Sequence, residues 1–172
     1  MNLQSTDFEL FGLPERFEQD RSAIDARWKE LQREAHPDRF AAQGHAAQRV
    51  AMQWSVRINE AYKRLSDPLK RAAYLCELRG ALIDAENNTA MPADFLAEQM
   101  EWREQLDEAR TSQDLDALEV ELDRSRGDTL RRIASLLDES GDAKAAAQLV
   151  RALMFIERFA HDVEQRVDQL GQ

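Results

Sequence analysis

Residues 20–66 read DRSAIDARWKELQREAHPDRFAAQGHAAQRVAMQWSVRINEAYKRLS, and this stretch decides the fold. Two apolar series with helical spacing flank a Pro-interrupted break. In the first, Ile24, Trp28, Leu31 and Ala35 share one face, and Asp20 is placed to cap the start. That helix must stop near Ala35, because Pro37 pushes His36 out of the α region. In the second, Val50, Trp54, Ile58, Ala61 and Leu65 form an inward stripe that runs to about Ser66. The two helices therefore pair as an antiparallel hairpin closed by a loop through Gly44.

Before the hairpin, Thr6-x-x-Glu9 reads as a capping box for a short helix that Gly12 and Pro14 end. After it, Asp67-Pro68 opens a fourth helix that closes at Arg79-Gly80, with Pro68 in the first turn, where its missing N–H costs little. Residues 80–92 (GALIDAENNTAMP) hold an Asn-Asn pair between a Gly and a Pro and read as a linker. Three further helical patterns follow, at about 92–110, 114–139 and 142–170. The last carries Leu149, Leu153, Ile156, Ala160, Val163, Val167 and Leu170 in near-heptad spacing. A long coiled coil and a three-helix bundle both fit that spacing, and Gly141 with the short breaks favours the bundle. The expected architecture is all-α: residues 1–80, a linker at 81–91, and a helical bundle over 92–172.

Length and charge narrow the function. The chain has 172 residues and a formal charge of −10. Residues 1–80 carry 13 basic and 12 acidic side chains, whereas 81–172 carry 10 and 21. The two segments thus have different surface tasks. The acidic half and the lack of any Lys/Arg run argue against nucleic-acid or anionic-membrane binding. No apolar run approaches the roughly 18 residues that span a bilayer, and the N-terminal ten residues lack the pattern of a signal peptide. The single cysteine, Cys76, excludes an internal disulfide and fits a reducing cytoplasm. It lies between Leu75 and Leu78 in a helical pattern, as a packed thiol would. His36, His45 and His161 have no ligand partners at zinc spacing, and neither a phosphate loop nor a nucleophile elbow occurs. The expectation is no catalytic residue, no metal and no cofactor.

Two clusters remain. The first is His36-Pro37-Asp38. Alone it is an ordinary Pro-stopped helix end with an Asx-type turn. Yet Lys29 and Arg33 lie about 100–140° round the helix from Trp28, on the solvent face, and Arg39 follows directly. Basic groups beside one loop carboxylate suit docking onto an acidic partner, with Asp38 pairing to a partner cation. The second cluster lies on the helix at 92–110. With Trp102 at zero, Phe95, Leu106 and Ala109 fall within about 40°, whereas Leu96, Met100 and Ala97 fall near 120°, 160° and −140°. Phe155 likewise lies more than about 100° from the Leu149/Leu153/Ile156 stripe. Either a wide bundle core absorbs these groups at its shoulders, or they form an exposed apolar patch rimmed by Glu101, Glu104 and Asp107.

In combination these motifs resemble a known family. A short helix, a basic helix, a His-Pro-Asp loop and a long antiparallel helix resemble the J-domain, which activates Hsp70 chaperones. More narrowly, the chain resembles the HscB family of J-protein co-chaperones in iron–sulfur cluster assembly. The matching residues are Phe8, Leu10, Phe11, Gly12, Leu13 and Pro14, then Leu31-Gln32 ahead of His36-Pro37-Asp38-Arg39-Phe40. Ile58, Asn59, Ala61, Tyr62 and Leu65 follow, then Pro68, Leu69, Arg71, Ala72, Tyr74 and Leu75, and a Phe-Leu-x-Glu-Gln-x-x-x-Arg-Glu segment at 95–104. The resemblance spans essentially the whole chain. J-domains commonly place Tyr before the His, where this chain has Ala35, and the Cys-x-x-Cys metal module of some eukaryotic relatives is absent. The resemblance is therefore to the bacterial type, with no structural zinc.

It implies contact with an Hsp70-type chaperone (HscA-like) through His36, Pro37, Asp38, Lys29, Arg33 and Arg39. It also implies contact with an iron–sulfur scaffold protein (IscU-like) through Leu96, Ala97, Met100, Glu101, Glu104 and Phe155. ATP hydrolysis would then occur in the Hsp70, not in this chain. Phe8, Phe11, Tyr62, Leu65 and Tyr74 read as packing residues. A J-protein for a different client, or a purely structural helical adaptor, remains an alternative.

Overall fold

The computed structural model describes residues 2–171. These form α1 (Asp7–Phe11), α2 (Arg21–Ala35), a 3-10 segment (Pro37–Gln43), α3 (His45–Ser66), α4 (Pro68–Leu78), α5 (Ala93–Glu108), α6 (Ser112–Ser135) and α7 (Ala143–Leu170). No strand occurs among the described residues. The chain divides into two compact units between Leu75 and Cys76, within α4.

In the first unit Thr6 and Asp20 cap their helices as expected, and Asp67 caps α4 as well. The Thr6 cap is the single bond to Glu9 and not a reciprocal capping box. The Thr6 hydroxyl accepts from the Glu9 N–H at 3.1 Å, and Gly12 ends α1 with φ of +64°. The Asp20 carboxylate accepts from the Ser22 N–H at 3.0 Å, and that of Asp67 from the Leu69 N–H at 2.9 Å. Phe8, Leu10 and Phe11 of α1 are buried, as are Ile24 and Leu31 of α2, Ile58, Ala61 and Leu65 of α3, and Ala72 and Leu75 of α4. Four members of the expected stripes sit differently, Ala35 and Trp54 being only half-buried. Val50 is 51% exposed, and Ala51 takes the inward place. The two are about equally far from the stripe's centre on a helical wheel, so the neighbouring elements decide between them. Trp28 lies half-buried at the α2–α3 seam, stacked on Tyr62 at 4.5 Å.

Asp7, fully buried, ties this unit together. Its carboxylate accepts from Arg64 Nε at 2.6 Å and Nη2 at 2.9 Å, and pairs with Arg57 Nη1 at 2.7 Å. The Asp7 N–H donates to the Tyr74 hydroxyl at 3.0 Å. The short helix is thereby fastened to both α3 and α4.

In the second unit, α5, α6 and α7 form a three-helix bundle. Its core joins Phe95 and Trp102 with Leu115, Leu118, Leu122 and Ile133, and with Leu149, Leu153, Ile156, Phe159 and Val163. α6 starts two residues earlier than the apolar pattern predicts, because Thr111 and Asp114 form a capping box. Its last turn widens into a π-type segment (Leu136–Ser140) closed by Gly141 in the left-handed region. The stretch at 81–91, expected to act as a linker, packs within this unit instead. Ile83 is buried, and the guanidinium of buried Arg151 donates to the carbonyls of Leu82, Ile83 and Ala90 at 2.9–3.2 Å. Composition cannot reveal a partner some sixty residues away. No helix among the described residues is long and apolar enough to cross a membrane.

Candidate functional site

Pro37 dictates the geometry of the first cluster. It leaves His36 extended, with φ −62° and ψ +129°, and starts the 3-10 turn that carries Asp38 and Arg39. The Asp38 N–H donates to His36 Nδ1 at 3.2 Å, so the neutral imidazole carries its proton on Nε2. The Arg39 N–H donates to the His36 carbonyl at 3.0 Å. Nothing covers the Asp38 side chain, which is 91% exposed, against 55% for His36. Lys29 and Arg33 stand one turn apart on the exposed face of α2. Arg39 Nη1 donates to the Arg33 carbonyl at 3.3 Å, which brings a third cation to the end of α2. The structure therefore gathers Arg33, His36, Pro37, Asp38 and Arg39 at one end of the hairpin, with Lys29 a turn further back on α2. Exposed charges of this kind add little to stability, so this arrangement suits recognition of a partner instead.

One feature of this hairpin escaped the sequence reading. The Tyr62 hydroxyl donates to Asp25 Oδ1 at 2.7 Å, and Arg21 Nε donates to the same oxygen at 3.0 Å. The Tyr62 bond first, then that from Arg21, holds the Asp25 carboxyl below the usual carboxylate range. On a wheel these residues are merely polar, and only the antiparallel register pairs them.

On α5 the second cluster separates into two parts. Leu96 is 41% exposed and Met100 70%. Ala97, Glu101 and Glu104 are exposed beside them. The patch reading holds for these residues. For Phe155 the shoulder reading holds: it is only 9% exposed. Its ring meets Phe95 edge-on at 5.8 Å and stacks on Phe159 at 5.8 Å, and the Arg103 guanidinium lies 5.4 Å from its centroid. A single-helix wheel could not show this, because the α5 aromatics widen the core to include it. Phe155 still borders a notch of about 260 Å³ with Arg103, Leu106, Asp107, Phe159 and Asp162. Burial, above all, raises the carboxyl of the neighbouring Glu98.

Cys76 is fully buried, and that burial pushes its thiol up to about 11. A thiol in this state is a poor nucleophile. Among the described residues, no group of three His, Cys, Asp or Glu side chains comes together as a metal site.

Comparison with known proteins places this arrangement. Residues 91–164 match the family described as the HSCB C-terminal oligomerisation domain. A co-chaperone protein HscB homolog of Burkholderia multivorans is 49% identical over 173 residues, covering 99% of this chain and 98% of that protein. The chain belongs to the HscB co-chaperone family. Its homolog in Ralstonia nicotianae is 52% identical, covering 96% of both chains. The solved structure of the HscB chaperone from Vibrio cholerae superposes with a TM-score of 0.81 at 36% identity, covering 96% of this chain and 99% of that one. Human co-chaperone protein HscB superposes at 0.88 with 25% identity, covering 96% of this chain and 84% of that one. The first unit is accordingly a J-domain and the second the C-terminal helical domain of an HscB-type co-chaperone.

Proposed function

We propose that this chain stimulates ATP hydrolysis by a dedicated Hsp70 in the cytoplasm and presents to it the scaffold protein on which iron–sulfur clusters are assembled. The observation that carries the proposal is the His36-Pro37-Asp38 turn, whose carboxylate stands 91% exposed at the end of a helix that presents Lys29 and Arg33 on its exposed face, with Arg39 following. Its chemistry is that of a docking contact. Asp38 offers an acceptor to a partner cation, and the three basic groups match an acidic surface. Hydrolysis itself would occur in the partner. Leu96 and Met100, with Glu101 and Glu104 beside them, offer the scaffold an apolar centre and an acidic rim. One protein holding both partners raises the effective concentration of scaffold at the chaperone.

The test is Hsp70 ATPase turnover with and without scaffold, using wild type, His36→Gln and Leu96→Ala/Met100→Ala. His36→Gln should abolish stimulation. The double variant should keep its own stimulation and lose the added effect of scaffold. Full stimulation by His36→Gln would remove the loop from the mechanism.

A further inference from the structure

The last turn of a helix leaves carbonyls without intrahelical partners. In α2 these include the carbonyl of Ala35, the residue directly before His36. It accepts from Ser55 Oγ on α3 at 3.2 Å, across 20 residues of sequence. A helical serine commonly turns its hydroxyl back onto its own helix, whereas this one reaches across the hairpin.

Ser55 is the end rung of a ladder. Ser55, Asn59 and Tyr62 lie at i, i+4 and i+7 on one face of α3. The Asn59 side-chain oxygen accepts from Trp28 Nε1 at 3.0 Å and also from Gln32 Nε2. The Tyr62 hydroxyl donates to Asp25. Three polar rungs thus set the register of α2 against α3, and the final one falls beside the loop.

Side-chain packing is looser there, with Pro37 and Phe40 only half-buried. Beneath the end of α2 lies a cavity of about 540 Å³, lined by Leu31, Ala35, Phe40, Val50 and Trp54 among others. Pro37–Gln43 contributes no buried residue. Two side-chain hydrogen bonds fasten the loop's root, from Ser55 Oγ to the Ala35 carbonyl and from the Arg39 guanidinium to the Arg33 carbonyl.

We propose that Ser55 is a positioning residue for the His36-Pro37-Asp38 loop, acting through the Ala35 carbonyl. The proposal rests on the Hsp70 contact proposed above. Without the hydroxyl, α2's end and the loop sample further orientations, and a smaller fraction of the protein is competent to dock. Apparent affinity falls by that fraction, while the docked state, once reached, is unchanged.

The test titrates Hsp70 ATPase stimulation with wild type, Ser55→Ala, Ser55→Thr and His36→Gln. Amide hydrogen exchange at Asp38 and Arg39 is measured alongside, on the free protein. Ser55→Ala should raise the half-stimulating concentration by more than about two-fold and at most about five-fold, the limit set by the loss of one net hydrogen bond, with maximal stimulation unchanged. Exchange at Asp38 and Arg39 should accelerate by a similar factor. Ser55→Thr, which keeps the hydroxyl, should bring both back to within about two-fold of wild type. The proposal is overturned if the Ser55→Ala curve superimposes on wild type while His36→Gln is inactive, or if Ser55→Thr behaves as Ser55→Ala. Should His36→Gln stimulate normally, the Hsp70 reading itself fails. The exchange data then still decide the tether, since unchanged exchange in Ser55→Ala refutes it.

Discussion

The double substitution Leu96→Ala/Met100→Ala isolates client binding from folding, and the structure sets its size. Fully burying a Leu or Met side chain is worth about 2 kcal/mol. Leu96 retains 41% of its exposure and Met100 70%, so a partner that covers both recovers about 0.8 and about 1.4 kcal/mol. Allowing for the methyl group each alanine retains, the double variant should bind scaffold just under ~2 kcal/mol more weakly, about twenty-fold. Folding should lose only about 1 kcal/mol, chiefly from the covered part of Leu96. Calorimetric titration of the full chain with the scaffold measures the first quantity, and urea unfolding the second. Stimulation of Hsp70 without scaffold should not change. Phe155 is the wrong residue for this purpose: it stacks among Phe95 and Phe159, and Phe155→Ala should cost about 3–5 kcal/mol of stability. A double variant that binds scaffold within two-fold of wild type would remove the α5 face from client recognition.

Asp7→Asn keeps the shape of a fully buried carboxylate but strips Arg57 and Arg64 of their counter-charge. Breaking a buried pair costs about 3–5 kcal/mol, and the 39% exposure of Arg64 lets its charge partly rehydrate, so about 2–4 kcal/mol is expected. Hydrogen exchange should show that loss across 7–75 with protection in the second unit intact, and unchanged protection across 7–75 would refute the role of the triad. The Cys76 thiol, pushed up to about 11 by burial, keeps its proton in the folded state at a pH where the unfolded chain has lost it. Stability should therefore fall as pH rises from about 9 to about 11, by up to ~1.4 kcal/mol per pH unit. At pH 8 a thiol reagent should label Cys76 only as fast as the protein unfolds, and labelling at the rate of a free thiol would contradict its burial.

Features encoded within one or two turns of chain were legible beforehand. Thr6, Asp20 and the Asp67-Pro68 pair each cap from within three residues, and Pro37 ends α2 by sterics local to the loop. The exposed residues of α5 were legible too, because Leu96 and Met100 lie far from the Phe95/Trp102 stripe on any α-helix. What escaped depends on a second element. Phe155 is buried because α5 brings aromatics to it. Residues 81–91 are ordered by Arg151. Ser55 and Asn59 look like solvent-facing polar residues until α2 is laid alongside them.

The two faces differ in what holds them in place, and this bears on how each can work. Leu96 and Met100 project from a helix whose opposite side carries Phe95 and Trp102, locked against Phe155 and Phe159 by rings 5.7–6.2 Å apart. Moving that face means breaking a close-packed core, so it presents one rigid shape and is suited to recognising one client surface. The His36-Pro37-Asp38 turn instead stands on a few hydrogen bonds beside a cavity, with no fully buried side chain of its own. Each such bond is worth about 1 kcal/mol net, so the turn can reorient without unfolding the hairpin beneath it. On the function proposed above, a rigid α5 face for the client and a lightly held turn for the chaperone would let substitutions at Ser55 or Arg39 adjust coupling to the chaperone while leaving client affinity alone. Substitutions among the α5 and α7 aromatics have no such freedom, because they alter the exposed α5 face and the stability of its domain together.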